Sequence, residues 1–581
     1  MNYEQEQAYL LRLWEEVDSD PAIEHDDDED FDKDDQLEER EGDSESEQDL
    51  EDEVNGEGVD DEMLSKPKQR TEPYFTGKDR VTKWRKHLPS LNVRTRSKNI
   101  VTRLPGVKGP ARNLRTIVDI WKCFFDEEIL NMIVSNTNLF ITQQEYDRQQ
   151  YRTARPTDLI EIKALLGLLY LAAVRKTNHL NATNLWSSNG TSIEMFRLTM
   201  SLERFRFLLR HIRFDNKATR LQRQKTDKLA TIRDLFELFI ANCKSTYTPS
   251  QYTTIDEKLE AFRGRCSFRQ YIPIKPNKYG IKIYALVDAK MFFTSNLEVY
   301  VGKQPDGPYA VENSAKAVVE RLVAPIANTG RNVTTDNWFT SMELSESLLK
   351  NYKLTLLGTI RKNKPQLPRE FVEEKTRPIG SSMFGFQENS TLVSYVPKKG
   401  RNVLLLSTIH NDDKIDANTG KPDMIMMYNS TKGGVDVVDK LCAGYNCARA
   451  TRRWPMVIFY SLMNIAGINA FVIFNSSNPN SNMSRGTFLE TLALDLIAEH
   501  LKRRTIIQQV LKLTRMRIRE ILHMEAEDVL PQEETTYGRC AYCDRKRNRK
   551  TKYKCYICNK FMCLEHIVAI CSNCSANNGP I

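Results

Sequence analysis

The chain has little that would mark a secreted or membrane-embedded protein. Before Cys540 only five cysteines occur, Cys123, Cys243, Cys266, Cys442 and Cys447, too dispersed for a disulfide framework and suited to a reducing compartment. The N-terminus, Met1 to Glu16, carries acids before any long apolar run and resembles neither a secretory signal nor a transit peptide. Long uncharged runs are almost absent. Trp454 to Phe474 is the one stretch long enough to cross a bilayer. Its Pro455, Ser461, Asn464 and Asn469, in a strongly charged chain, favour a buried core helix and no membrane partner. Apolar residues make up only 40 % and mean hydropathy is −0.51, so part of the chain does not fold.

Basic residues are missing from one region in particular. Residues 1–62 hold 29 Asp and Glu against 3 Lys and Arg, whereas 81 basic and 48 acidic residues follow. Blocks such as DDDEDFDKDD repel and bury no core, so 1–62 reads as a disordered acidic tail. The basic remainder points to a polyanionic partner, nucleic acid above all.

A chain of 581 residues exceeds one hydrophobic core, and its periodicity changes several times. In 63–115, Lys83, Arg85, Lys86, Arg94, Arg96, Lys98 and Arg103 lie among Pro and Gly, which reads as an extended basic arm or a solvated linker. Helical spacing follows over 116–250, in Ile117, Ile120 and Phe124 and again in Leu159, Ile162, Leu166 and Leu169. Asp158 with Glu161 has the spacing of a capping box. After Ser201, Leu202, Phe205, Leu209 and Ile212 make one apolar stripe. Arg204, Arg206, Arg210 and Arg213 decorate the rest, where either phosphate or bulk solvent would meet them.

From 251 to 361 β-branched and aromatic runs (YTTID, YGIKIYALVD, FFTSNLEVYVG, RNVTTDNWF) alternate with helix-like segments, which is the pattern of an α/β domain. Residues 362–422 are loop-rich with short strands, as in an insertion. The α/β domain resumes over 423–445 and helices over 446–524. A linker, 525–539, leads to a cysteine-rich end, 540–581.

Asp256 on a strand, Asp336 closing NVTTD and Asp436 opening a helix stand in the order of an RNase H-like nuclease. Carboxylates are hard oxygen ligands, and three of them converging would hold two divalent ions for phosphoryl transfer. Asp439 stands one helical turn beyond Asp436 on the same face. Glu257, by strand alternation, points to the side opposite Asp256. The spacing alone is permissive.

The wording around these acids is specific. TIDEKLEAFRGRCSFRQYIPIKPNKYGIKIYALVD from Thr254, NVTTDNWFTS from Asn332, KLTLLGTIRKNK from Lys353 and MYNSTKGGVDVVDKLCAGYNCARATRRWP from Met427 closely resemble the piggyBac transposases, in the same order. The resemblance runs from about Tyr74 to about Phe474 and resumes in the C-terminal cysteines. It implies an α/β RNase H-like catalytic domain with an insertion, flanked by a helical dimerisation and DNA-binding domain in two parts. It implies that Asp256, Asp336 and Asp436 bind two Mg²⁺ or Mn²⁺ ions and that Asp439 is a fourth catalytic acid. It further implies a nuclear homodimer that binds double-stranded transposon ends, excises through a 3′-OH and a hairpin, and reinserts at TTAA. Trp454, beside Arg452 and Arg453, is placed to stack on an unpaired base.

The C-terminus reads C-x2-C-x11-C-x2-C-x4-C-x2-H-x4-C-x2-C. Cys540, Cys543, Cys555, Cys558, Cys563, His566, Cys571 and Cys574 make eight ligands for two tetrahedral Zn²⁺ ions. Interleaved pairing sets Cys540, Cys543, Cys563 and His566 on one ion and the other four on the second; sequential pairing is the alternative. Between the first two pairs, Arg545, Lys546, Arg547, Arg549 and Lys550 suit phosphate contact and nuclear import. Two rival readings are a domesticated DNA-binding protein without catalysis, which the three aspartates argue against, and a RING-like ubiquitin ligase, which leaves the central domain unexplained.

Overall fold

Alternating β-branched and aromatic residues build the centre of the molecule as a mixed sheet. The structure, a computed structural model, describes residues 73–88, 97–144, 153–190, 192–273, 275, 277–373, 376–524, 537–555 and 558–567. The acidic tail, residues 63–72 and 89–96 of the basic arm, most of the linker, Cys571 and Cys574 lie outside them. Residues up to Leu501 form one unit and those from Lys502 a second.

The strands of the first unit are β1 (Tyr74–Thr76), β2 (Lys83–Arg85), β3 (Gly106–Val107), β4 (Tyr247–Thr248), β5 (Tyr252–Ala261), β6 (Gln270–Tyr271), β7 (Tyr279–Asp288), β8 (Thr294–Val299), β9 (Asn332–Thr335), β10 (Thr355–Thr359), β11 (Ser382–Phe386), β12 (Thr391–Lys398) and β13 (Arg401–Ser407). β3 and β4 pair with each other. The rest form one sheet in the order β1-β2-β11-β12-β13-β10-β9-β5-β7-β6, with β8 also on β7. β5, β7 and β8 are an antiparallel meander, while β9 and then β10 add in parallel on the far side of β5.

The helices used below are α1 (Leu159–Val174), α2 (Leu202–His211), α3 (Ala315–Leu322), α4 (Met342–Asn351), α5 (Asp423–Thr431), α6 (Gly434–Gly444), α7 (Trp454–Ser477) and α8 (Arg485–Ile506). α3 and α4 cover one face of the sheet. There Val318, Val319, Leu322, Leu344 and Leu348 pack on Ile255, Leu286, Val333 and Leu356, all buried.

Two segments that composition set apart join the central sheet. Residues 382–407, within the loop-rich stretch, supply β11, β12 and β13 of the same sheet. The basic stretch supplies β1 and β2, with Trp84 fully buried between exposed Lys83 and Arg85. A period of two over three residues is too short to read against so many charges.

α7 is long and apolar enough to cross a membrane, yet the whole of its apolar window is buried inside the protein. Its partners explain this. Tyr170 on α1 donates its hydroxyl to the Met463 carbonyl at 2.7 Å and accepts from Trp121 Nε1 at 2.9 Å. Gly167 lets α1 meet α8, since a Cβ there would lie 2.7 Å from the Ala493 carbonyl oxygen. Helices from both sides of the sheet segments thus pack on one another.

Asp158 does cap α1, accepting from Glu161 N at 2.9 Å. The Glu161 carboxylate is itself buried. It receives Arg204 in a two-pronged pair, Nε to Oε1 at 3.0 Å and Nη2 to Oε2 at 2.6 Å, with the two side chains 0 % and 5 % exposed. Arg204 therefore meets neither phosphate nor solvent. Removing one partner of a buried pair strands the other's charge, so Glu161→Ala is expected to cost about 3–5 kcal/mol of stability. Urea unfolding measures this; a loss below about 1 kcal/mol, the scale of an exposed pair, would show that the pair does not hold α1 to α2.

Candidate active site and cysteine–histidine cluster

β5 and β9 run in parallel with Ile255 opposite Thr335, and the next residue on each strand is an aspartate, Asp256 and Asp336. β9 ends there, so the flank of β5 beyond Ile255 has no paired strand, and carboxylates collect in the opening. Oxygens of Asp256, Glu257 and Asp336 all lie within 4.8 Å of one another. Glu257 joins this group against the expectation from strand alternation. At an open flank a long side chain from the other face reaches the same space.

Backbone donors orient the acids. Asp336 Oδ1 accepts from Trp338 N at 3.0 Å and Phe339 N at 3.3 Å, and Asp256 Oδ1 accepts from Glu257 N at 2.8 Å. Behind them α5 is tied to both strands: Thr254 Oγ1 donates to the Thr431 carbonyl at 2.5 Å, and the Thr334 and Thr431 hydroxyls lie 2.8 Å apart. Asp436 is exposed in the first turn of α6 and contributes to the field at Asp256 without belonging to the group of three. Asp439 also stands outside it, with Oδ1 3.3 Å from the Lys258 ammonium.

Burial first, and then the Glu257, Asp336 and Asp436 charges, push the Asp256 carboxyl up to about 8. Burial and Glu257 also raise Asp336. Burial lifts Asp439 to about 6 against the pull of Lys258. The group thus holds more carboxylates than can ionise together without a cation. Hard oxygen donors at this density fit a divalent hard cation.

Of the arginines beside Trp454, Arg452 is exposed, whereas Arg453 serves the protein itself. Its guanidinium donates to the carbonyls of Leu209, Arg210 and Ile212 at 3.2, 3.0 and 2.6 Å, capping the C-terminus of α2, and burial lowers it to about 10. The last carbonyls of a helix need donors, and Arg453 supplies them. Trp454 is half-buried and meets the Phe268 ring edge-on at 5.0 Å.

In the second unit β14 (Gly538–Arg539) pairs with β15 (Lys550–Thr551). Cys540, Cys543, Cys563 and His566 gather beside this hairpin. Cys543 Sγ lies 3.5 Å from Cys563 Sγ, and His566 Nδ1 lies 3.6, 3.7 and 3.3 Å from the sulfurs of Cys540, Cys543 and Cys563. A tetrahedral zinc site with bonds of about 2.3 Å to sulfur and 2.0–2.1 Å to nitrogen sets its ligands roughly 3.5–3.8 Å apart, so this donor set fits. These four residues are one half of the interleaved pairing. Cys555 and Cys558 are not in the group, and their expected companions Cys571 and Cys574 fall outside the described residues. Arg545, Lys546, Arg547, Arg549 and Lys550 are all exposed. Glu565 pairs with Arg549 and lies 3.5 Å from Arg547.

Sequence reasoning missed Glu257 and Lys258. The signal for Lys258 was present, a cation two residues from Asp256 and two from Glu260 on one face of a strand.

A family model described as Transposase IS4 matches residues 116–471. The human PiggyBac transposable element-derived protein 3 is 22 % identical over 372 residues, 60 % of this chain and 60 % of that protein. The human chimeric ERCC6-PGBD3 protein is 22 % identical over 372 residues, 60 % of this chain and 34 % of that one. The chain thus matches less than two thirds of the length of either. A piggyBac transposase solved by cryo-EM in a synaptic complex with hairpin DNA is 38 % identical, with a TM-score of 0.70, covering 81 % of this chain and 100 % of that one. On the match to more than half its length, and on this solved relative, the chain belongs to the piggyBac-type transposases of the Transposase IS4 family.

Proposed function

We propose that this protein is a cut-and-paste DNA transposase that binds transposon terminal inverted repeats, frees a 3′-OH, passes through a hairpin end and inserts at TTAA. The observation that carries this reading is the meeting of acids at the ends of β5 and β9. They lie in the middle of five strands with the order of an RNase H-like fold, an antiparallel meander of three with two parallel strands added beside the first. The solved relative's complex with hairpin DNA supports the hairpin step.

Asp256, Asp336 and Asp436 would hold two Mg²⁺ or Mn²⁺ ions, which when bound activate a water or a 3′-OH and offset charge on the leaving oxygen. The chain's own residues prepare the site. Asp336 is fixed by two backbone donors, and Asp256, whose carboxyl burial and neighbouring acids push up, would give up its proton to a bound cation. Arg452 and Trp454 meet DNA near the cut. Arg545, Lys546, Arg547, Arg549 and Lys550 bind phosphates of the ends and direct nuclear import. Two Zn²⁺ ions would fold the last unit, one held by Cys540, Cys543, Cys563 and His566 and one by Cys555, Cys558, Cys571 and Cys574. The helical parts, 116–250 and 446–524, join two copies into a homodimer around a catalytic domain of 251–361 and 423–445 with 362–422 inserted.

Asp256→Asn, Asp336→Asn and Asp436→Asn should each abolish cleavage of end DNA in Mg²⁺ with end binding close to wild type, because asparagine retains shape but not charge. Undiminished cleavage by any one of them removes that residue from the site.

Elemental analysis should find two zinc ions per chain. Cys563→Ser should lose one and weaken sequence-specific end binding, since structural zinc sites fold only when complete. A zinc-free protein that still binds ends would defeat this assignment.

The pH dependence has a definite sign. Asp256 ordinarily titrates near 3.8 and is held near 8 in the fold, so its protonated form favours folding, and that contribution is lost as pH rises through 8. Metal-free Asp256→Asn should therefore melt above wild type at pH 8, with the gap closing towards pH 5. Added Mn²⁺ should stabilise wild type more than the variant. A variant that melts below wild type at pH 8 contradicts the argument.

A further inference from the structure

Thr254, Asp256, Lys258 and Glu260 stand two residues apart on β5 and share one face, and α6 packs along it. At one end contact is direct: a Cβ on Gly434 would lie 2.5 Å from Thr254 Oγ1. Further along, Lys258, its side chain only 2 % exposed, sets its ammonium 2.7 Å from Glu260 Oε1, 3.3 Å from Asp439 Oδ1 and 3.4 Å from Ser461 Oγ on α7. Ser461 in turn donates to Glu260 Oε1 at 2.5 Å. The three donors of one ammonium thus meet oxygens from β5, α6 and α7.

Glu260, on the same strand, already neutralises the lysine. The second carboxylate comes from another element and adds geometry rather than charge balance. If α6 slipped by one turn, about 5.4 Å, Lys258 would lose Asp439, and Asp436 would leave its place beside Asp256. We infer that Lys258 is a positioning residue, whose ammonium, shared between Glu260 and Asp439, fixes the register of α6 on β5 and so the place of Asp436 at the acidic group. Asp439 serves that group through Lys258 and is not itself a ligand. This inference rests on the reading of Asp256, Asp336 and Asp436 as holders of divalent ions.

The test is Mn²⁺ binding to the full chain by titration calorimetry, followed by the Mn²⁺ dependence of single-turnover cleavage of end DNA. Lys258→Met should raise the Mn²⁺ midpoint about tenfold or more, the scale of lost support behind a ligand, with the KM for DNA unchanged. Lys258→Arg, which restores a buried cation, should recover most of the shift. Asp439→Asn should move the midpoint in the same direction, and Lys258→Met/Asp439→Asn no further than the larger single change. If Lys258→Met does not fold by circular dichroism, Lys258→Gln, which removes the charge but keeps a hydrogen-bond donor, takes its place in the same comparison with and without Asp439→Asn. An unchanged midpoint, single effects that multiply, or loss of Mn²⁺ binding in Asp439→Asn as complete as in Asp436→Asn would overturn the inference. Wild type that binds no Mn²⁺ would overturn the reading of the acidic group and this inference with it.

Discussion

Carboxylates within 4.8 Å of one another repel, and the first unit is arranged so that the elements bearing them cannot move apart. β5 and β9 are locked by a parallel ladder, and Ile255 and Val333, next to the acids, sit in the hydrophobic core under α3 and α4. On the other face α5 is hydrogen-bonded through Thr431 to Thr254 and Thr334. Apolar burial and a satisfied polar network together hold an electrostatically unfavourable group in place, as is common where a site is built for a ligand of opposite charge.

The same logic governs many of the basic residues. The excess of arginine and lysine suggests a surface made for polyanions, yet several guanidiniums act inside the protein. Arg331 is fully buried and donates to the carbonyls of Pro249, Ser250 and Arg103. Arg449 donates to Thr177, Asn178 and Leu180, Arg453 caps α2, and Arg204 is paired with Glu161. A planar group with five donors suits clusters of carbonyls that secondary structure leaves unpaired. The positive charge remains, but fewer of these guanidiniums are left for an outside partner than composition implies.

The second unit solves a different problem. Few apolar side chains of its described residues are buried, so the close approach of three sulfurs and one imidazole stands where a core would be. The exposed arginines beside it are braced by Glu565, which orders side chains that solvent alone would leave free.

Composition and word order by themselves determined the family, the core nature of Trp454–Phe474, two of the grouped acids, Asp256 and Asp336, and the four grouped residues Cys540, Cys543, Cys563 and His566. These properties depend on residue type and local spacing, which a linear reading contains. Only the tertiary structure decided that Glu257 reaches the acids, because that follows from where β9 stops. Tertiary contacts likewise directed Arg204 and Arg453 to partners 43 to 244 residues away, drew the short strands of 74–85 and 382–407 into the central sheet, and turned Asp439 toward a buried lysine. Each is settled by which surfaces meet when distant segments pack, and neighbouring residues alone carry no record of that.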